Sequence, residues 1–172
     1  MSLQPPIEPT SLQPHGEPTK LREAFSGFPC GVVAIAATVD GVDEVLVASS
    51  FTVGVSQDPP LVMFAVQHTS TTWPVLRQAS RLGVSVLGDR HADRIRQLAG
   101  RDKVQRFDRI EKRPSKDGAI LIQDAPIWLE CSLWATYPAG DHDIVVLRVE
   151  QLSSEFAYRP LVWHRSAFTT LA

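Results

Sequence analysis

Apolar residues along this chain fall into short runs separated by turn formers, as is typical of a β-rich protein. Residues 31–39 read GVVAIAATV and end at an Asp-Gly pair, after which a second apolar run covers residues 44–51. An Asp-Gly pair between two apolar runs is a strong hairpin signal. A third continuous run, residues 61–66, follows two prolines. We therefore expect three strands without intervening helices in the first third of the chain.

The last third of the chain predicts strands of another kind. Residues 127–136 alternate apolar and polar positions, and residues 144–152 do the same. This period of two is typical of antiparallel strands that bury one face. Residues 160–163 and 167–170 predict two further short strands.

The middle of the chain predicts a mixture of helices and strands. Residues 73–79 predict a short helix whose early proline is tolerated in the first turn. Residues 82–87 predict a strand, and Asp89 can cap a helix with apolar residues on one face. Residues 101–118 are charged and irregular, and predict a short helix and a loop. About seven strands with two or three short helices predict a mainly β fold, a β-barrel with appended helices.

The length of 172 residues suits one domain with a single core. Residues 1–20 are rich in proline and turn formers, and predict a flexible arm. An alternative is that this arm wraps a partner subunit. The domain proper is expected at residues 21–172, and residues 21–25 predict a helical turn at its start.

Composition and charge exclude several classes of function. The formal net charge is −2, so we expect no nucleic-acid partner. No apolar run reaches the roughly 18 residues of a membrane helix, and the first residues lack the pattern of a secretory signal. Cys30 and Cys131 lie in apolar runs, which do not imply a disulfide and lack metal-ligand spacing. We expect a cytoplasmic protein.

Four consecutive hydroxyl residues, at positions 69–72, lie between a predicted strand and a predicted helix. Hydroxyl groups together with the unpaired N–H groups of a helix N-terminus can bind a phosphate group. The alternative is an ordinary capping segment, because Ser and Thr are favoured there. Four hydroxyls exceed what one cap requires.

A second polar cluster ends the second predicted strand at Ser49, Ser50, Phe51 and Thr52. Small residues permit a close approach to the backbone, and their hydroxyls can bond a sugar-like chain or the polar edge of a planar ring. The alternative is a strand end with polar residues that face water. The chain carries no Gly-rich dinucleotide fingerprint and no phosphate-binding loop of the Walker type.

The third cluster is a predicted turn that contains His142 between two aspartates. A solvated turn residue is the ordinary interpretation. We predict no metal site, because no other histidine lies at ligand spacing. A hydrolase that pairs Ser49 or Ser50 with His142 is disfavoured, because the chain lacks the G-x-S-x-G pattern.

Taken in order, a series of segments over residues 21–172 resembles the flavin reductase-like family of split-barrel FMN-binding proteins, which includes the small reductase components of two-component flavin monooxygenases. The segments are PCGVV, ASSFTVGVSQDPPLVMFAV, STTWPVLRQASRLGVSVL, LAGRDKVQRF, WLEC, YPAGDHDIVVLRVE and PLVWHR. Family members often carry Asn or Lys early in the phosphate loop, where this chain has Gln67 and His68.

The resemblance implies a six-stranded Greek-key split β-barrel, a homodimer, and a flavin in a cleft near the dimer interface. The residues implied to line the flavin ring and ribityl chain are Ser49, Ser50, Phe51 and Thr52. Those implied to surround the ribityl chain and phosphate are Gln67, His68, Ser70, Thr71 and Thr72. Arg101 and Lys103 are candidates to compensate the phosphate charge, with a solvated charged loop as the alternative. His142 is the catalytic candidate, a positioning residue near the nicotinamide.

The implied activity is hydride transfer from NADH or NADPH to FMN or FAD, with delivery of reduced flavin to a partner oxygenase. The cofactors carry this chemistry, so no side-chain nucleophile is required. Two alternatives remain: a flavin carrier or sensor without turnover, and a relative of the pyridoxamine phosphate oxidases, which the GDH and PLVWHR segments disfavour.

Overall fold

The structure, a computed structural model, describes residue 12 and residues 14–171. Twelve strands are present in this part of the chain: β1 (Cys30–Gly31), β2 (Val33–Val39), β3 (Val42–Ala48), β4 (Thr52–Gln57), β5 (Pro60–Gln67), β6 (Leu82–Val86), β7 (Lys112–Pro114), β8 (Ile120–Ile122), β9 (Ile127–Ala139), β10 (His142–Ser154), β11 (Leu161–His164) and β12 (Ala167–Thr170). The helices are α1 (Pro18–Ser26), α2 (Trp73–Leu76) and α3 (Ile95–Leu98), with 3₁₀ turns at Asp89–His91 and Lys103–Gln105.

The strands form one large sheet and two small ones. The large sheet has seven strands in the order β3-β2-β6-β9-β10-β5-β4, and its neighbouring strands are antiparallel. The small sheets are β1-β11-β12 and β7-β8. The predicted mainly β fold is confirmed. The strand order does not itself give a six-stranded Greek-key barrel, because seven strands share the large sheet and, within the described residues, no ladder joins its edge strands β3 and β4.

Strand β2 is buried on both of its faces, which explains its uninterrupted apolar sequence. Val33, Ile35 and Ala37 pack into one core with α2 and β5. Ala34 and Ala36 pack into a second core with α3, β8 and β11. A strand covered on both sides has no solvent-facing positions for polar residues. The sheet therefore separates two apolar clusters.

The long hairpin of β9 and β10 contains two irregularities that interrupt the predicted alternation. The register shifts between Val146 and Leu147 and again between Val149 and Gln151. Trp134, opposite the first shift, is 50% exposed. An extra residue in one strand of a pair turns the following side chains to the other face. The period of two predicted for residues 127–136 is thus only partly realised.

Strands β4, β7 and β8 were not predicted from the sequence, and β7 lies within residues 101–118, which were predicted as a short helix and a loop. Strand β4 is largely exposed and carries Gly54 at a φ of 72°, so it shows no apolar face. Strand β8 has only three residues. All three helices also differ from expectation. Helix α2 ends at Leu76, and α1 begins at Pro18, within the segment predicted to be a flexible arm. The helix predicted after Asp89 is divided into the 3₁₀ turn Asp89–His91 and α3. Residues 1–11 and 13 of that arm lie outside the described residues.

Both cysteines are free thiols, with Cys131 buried and Cys30 half-buried. Within the described residues, no cluster of three or more His, Cys, Asp or Glu side chains could hold a metal ion. None of the helices described is long and apolar enough to cross a membrane.

Candidate functional site

A cleft of about 650 Å³ lies where the ends of β3 and β5 meet the start of β10. Its walls also include the loop that follows β5 and the segment that follows α3. The lining residues are Leu46, Val47, Ala48, Ser49, Ser50, Ala65, Val66, Gln67, Thr69, Ser70, Thr71, Ala99, Arg101 and His142. Small-molecule sites are concave and occupy about 300–1,000 Å³. The cleft is thus large enough for a cofactor.

Seven of the residues that the sequence singled out lie together on this cleft. They are Ser49, Ser50, Gln67, Ser70, Thr71, Arg101 and His142. They come from four separate segments of the chain, which the antiparallel register brings side by side: His142 on β10 pairs with Gln67 on β5. The three polar clusters of the sequence therefore form one site.

Ser50 closes a gap between the strands at the base of the cleft. Its Oγ accepts a hydrogen bond from the backbone N–H of Ala65 at 2.9 Å and donates one to the Ala65 carbonyl at 3.0 Å. Strand β4 starts only at Thr52, so it does not reach Ala65. The serine hydroxyl thus hydrogen-bonds the N–H and carbonyl groups of Ala65, which have no partner on β4.

The hydroxyl-rich loop, residues 67–72, is held by a hydrogen bond at each of its ends. The His68 N–H donates to the Asp141 carbonyl at 3.0 Å, which joins the loop to the turn between β9 and β10. At the other end, the Ser70 hydroxyl accepts from the Trp73 N–H at 3.1 Å. This bond pairs one N–H group at the start of α2, while Thr72, the N-cap residue of that helix, makes no side-chain cap hydrogen bond.

His142, at the mouth of the cleft, is hydrogen-bonded to the preceding residue, Asp141. Its Nδ1 lies 2.7 Å from Oδ1 of Asp141. This hydrogen bond and the charge of the histidine lower the pKa of Asp141 below its usual value. His68 forms a similar pair, with Nε2 at 3.0 Å from Oδ1 of Asp143. The hydrogen bond to Asp141 orients the His142 ring, which suits a positioning residue.

Arg101 and Lys103 occupy different places. Arg101 lines the cleft and gives its wall a positive charge. Lys103 lies behind the hydroxyl-rich loop, where Nζ donates to the Thr71 carbonyl at 3.2 Å and lies 3.5 Å from Oε1 of Glu44. Lys103 is therefore a partly exposed side chain with two partners in the protein, and it does not line the cleft.

Four other predicted residues also lie off the cleft walls. Phe51 packs against the core, and Thr52 is exposed at the start of β4. His68 is paired with Asp143 beside the cleft. Thr72 is buried, and its Oγ1 accepts a hydrogen bond from Arg106 at 2.9 Å. These four side chains therefore do not line the cleft.

Some lining residues were missed by the sequence analysis. Thr69 belongs to the hydroxyl run considered for phosphate binding, but it is absent from the residues that the family resemblance implies. Ala99 follows the apolar face of α3, and its small size was the available signal. The apolar wall comes from β3 and β5 and carries no local signal, because residues such as Val47 and Val66 resemble any core residue.

The composition of the walls suits a flavin. Strands β3 and β5 offer small apolar residues on which a planar ring can lie, while Ser49, Thr71 and Arg101 offer hydroxyl groups and a positive charge for a sugar phosphate. The donor set is therefore compatible with an amphipathic, phosphorylated ligand.

Comparisons with known proteins agree with this description. The family model described as the flavin reductase like domain matches residues 25–172. The flavin reductase of Pseudomonas putida is 32% identical over 153 residues, which cover 88% of this chain and 89% of the relative. The reductase subunit HsaB of a flavin-dependent monooxygenase from Mycobacterium tuberculosis is 29% identical over 89% of this chain and 82% of its own length.

Among solved structures, the NADH:FAD oxidoreductase SgcE6 of Streptomyces globisporus, in complex with NAD and FAD fragments, superposes with a TM-score of 0.86. It shares 27% sequence identity, and the match covers 95% of this chain and 98% of that protein. The family match spans nearly the whole chain, including every segment that forms the cleft. The chain belongs to the flavin reductase-like domain family.

Proposed function

We propose that this protein is a flavin reductase that transfers hydride from NADH or NADPH to FMN or FAD bound in the cleft. The observation that carries the proposal is the convergence of Ser49, Thr71, Arg101 and His142 on one cleft of about 650 Å³ in a chain of this family. The similarity to a P. putida flavin reductase and to an NADH:FAD oxidoreductase supports it.

The protein's part in this reaction is binding and orientation. A bound flavin supplies the hydride acceptor, which no side chain provides. Ser49 and the apolar wall of β3 and β5 hold the ring system, and Thr71 and Arg101 hold the phosphate end. His142, oriented by Asp141 at 2.7 Å, positions the nicotinamide at the mouth of the cleft. Holding two reactants in contact replaces a bimolecular encounter by a nearly unimolecular step.

The reduced flavin serves a separate oxygenase in this proposal. HsaB, a relative of similar length, is the reductase subunit of a flavin-dependent monooxygenase. We further propose a cytoplasmic homodimer in which the seven-stranded sheet curves into the split barrel of the family. Exposed apolar side chains on β4 and β9, among them Val53, Trp134 and Tyr137, support the dimer.

Anaerobic titration of the flavin-loaded protein with NADH tests the activity. We expect the visible absorption band of the flavin to bleach with about one equivalent of NADH per flavin, because one hydride carries both electrons. Free flavin at the same concentration, without protein, is the control. A protein that binds flavin and leaves it oxidised would overturn the reductase and favour the carrier or sensor.

Steady-state assays with the four pairs of FMN or FAD and NADH or NADPH then identify the cofactor preference. The ratio of kcat/KM between pairs is the measure of discrimination.

A further inference from the structure

Arg106 is a buried arginine that the function described above does not use. Its side chain is 9% exposed. Nε donates to the Gly100 carbonyl at 2.7 Å, and Nη1 donates to the Val45 carbonyl and the Thr72 hydroxyl, both at 2.9 Å. These three acceptors belong to the segment after α3, to strand β3 and to the hydroxyl-rich loop. One guanidinium therefore joins three of the segments that form the cleft.

Burial of this group has a physical cost that must be offset by its bonds. A buried charge is tolerated only when hydrogen bonds replace its hydration. The donors of a guanidinium lie in a rigid plane, so acceptors bonded to it are held at fixed relative positions. A flexible side chain would not impose that geometry. The arrangement thus fixes Thr72 relative to Gly100, one residue before Arg101.

The charges around Arg106 leave a positive excess behind the hydroxyl-rich loop. Glu44 is buried, and its Oε1 lies 3.5 Å from Nζ of Lys103. Its Oε2 has no hydrogen-bond partner in the described part of the chain. With Asp102 included, the three cations Arg101, Lys103 and Arg106 exceed the two carboxylates by one positive charge. A phosphate monoester, with a charge of about −1.5 to −2 at neutral pH, complements such an excess.

We propose that Arg106 is a positioning residue for the phosphate end of the flavin. It holds the hydroxyl-rich loop against the Arg101 segment, so that hydroxyl groups and positive charge face the phosphate together, and it does so without touching the ligand. The inference rests on the proposed function, since it assumes that the cleft takes a flavin phosphate.

Comparison of two ligands that differ only in the phosphate tests this role. The Kd values of FMN and riboflavin are measured by flavin fluorescence for the wild type, Arg106→Met and Arg106→Lys. We expect Arg106→Met to raise the Kd of FMN by about tenfold, because the hydroxyl-rich loop is no longer held in place and must be ordered when FMN binds. The Kd of riboflavin should change by less than about twofold, because riboflavin has no phosphate for the charge and hydroxyl groups to bind.

Arg106→Lys keeps the charge and loses the planar fork, so its FMN affinity should stay well below that of the wild type. Wild-type affinity in this variant would overturn the positioning role. Equal losses for FMN and riboflavin in Arg106→Met would also overturn it, because they indicate general damage to the cleft. Arg113→Met is the matched control, since Arg113 is an exposed arginine that stacks over Trp128 on the β7–β8 side.

If Arg106→Met does not fold, Thr72→Val serves in its place, since it removes one acceptor and keeps the shape of the side chain. We expect it to raise the Kd of FMN by about threefold to tenfold, with riboflavin unaffected. Unchanged FMN binding in this variant would contradict the proposal. These binding assays contain no NADH and test the positioning role alone. If the wild type binds FMN but NADH does not reduce the bound FMN, the reductase function is refuted and the positioning role remains.

Discussion

Individual hydrogen bonds decide which polar side chains of the cleft remain available to a ligand. The hydroxyl run contains four similar residues, yet the Ser70 hydroxyl accepts from the Trp73 N–H and the Thr72 hydroxyl accepts from Arg106. Thr69 donates to Oε1 of Gln67 at 3.4 Å, and Thr71 lines the cleft. The same residue types at adjacent positions therefore have different roles, and the difference depends on partners that are remote in sequence.

Replacement of His142 by alanine tests its assignment to the nicotinamide. We expect the KM of the nicotinamide to rise by about tenfold, because a side chain that orients the second ligand is lost. The Kd of the flavin, measured by fluorescence titration, should change by less than about twofold, since the phosphate and ring contacts are retained. His15→Ala, at an exposed histidine ahead of α1, is the control. An unchanged nicotinamide KM would remove the role from His142.

The two cysteines should differ sharply in reactivity. Burial, together with the nearby charges of Glu150 and Glu130, raises the pKa of Cys131 to about 12. The thiolate is the reactive form, so Cys131 should not react in the native protein at about pH 8. We expect a disulfide reagent to label Cys30 alone in native protein and both thiols after denaturation. A Cys30→Ser variant that still labels rapidly would contradict the burial of Cys131.

At the level of elements, the short strand β8 crosses close over β6. A Cβ atom at position 83 would overlap the backbone of Ile120, and the Ser85 hydroxyl accepts from the Ile122 N–H at 2.8 Å. Small residues therefore alternate along β6 where another backbone lies against it. Glycine permits such a close approach because it has no side chain.

Replacement of Gly83 by alanine should destabilise the protein by about 1–3 kcal/mol, since overpacking against backbone cannot be relieved by a side-chain rotation. Urea unfolding monitored by circular dichroism measures the loss of free energy. Gly31→Ala is the matched control, because a Cβ there meets nothing within 4 Å. Equal stabilities for the two variants would argue against the contact between β6 and β8.

For the molecule as a whole, the sequence predicted those strands and turns that a local residue pattern encodes. The apolar run of β2 and the turn at Asp40 predict a hairpin that the structure contains. Strand β4 lacks an apolar face and was missed. The location of Ser49, Thr71 and His142 in one cleft could be predicted only from the family resemblance, because it depends on strand register. The Arg106–Thr72 bond spans 34 positions of the chain, and no local pattern indicates it.

The proposed homodimer has a direct test. Sedimentation velocity should give a species of twice the chain mass of 19.0 kDa. Trp134→Glu places a charge on an exposed apolar surface, and we expect it to shift the protein towards the single-chain mass. Phe156→Glu changes an exposed aromatic residue in the loop after β10 and is the control. A wild type that sediments as a single chain would exclude the dimer.

The hydroxyl of Ser50 also determines how the base of the cleft can be redesigned. While it is present, the N–H and carbonyl groups of Ala65 are both hydrogen-bonded to it. Alanine at position 50 would uncover that donor and acceptor side by side, in the arrangement that an unpaired strand presents to a peptide. We expect a cleft altered in this way to bind ligands that carry an amide edge. One hydroxyl oxygen therefore determines whether these backbone groups are available to a ligand.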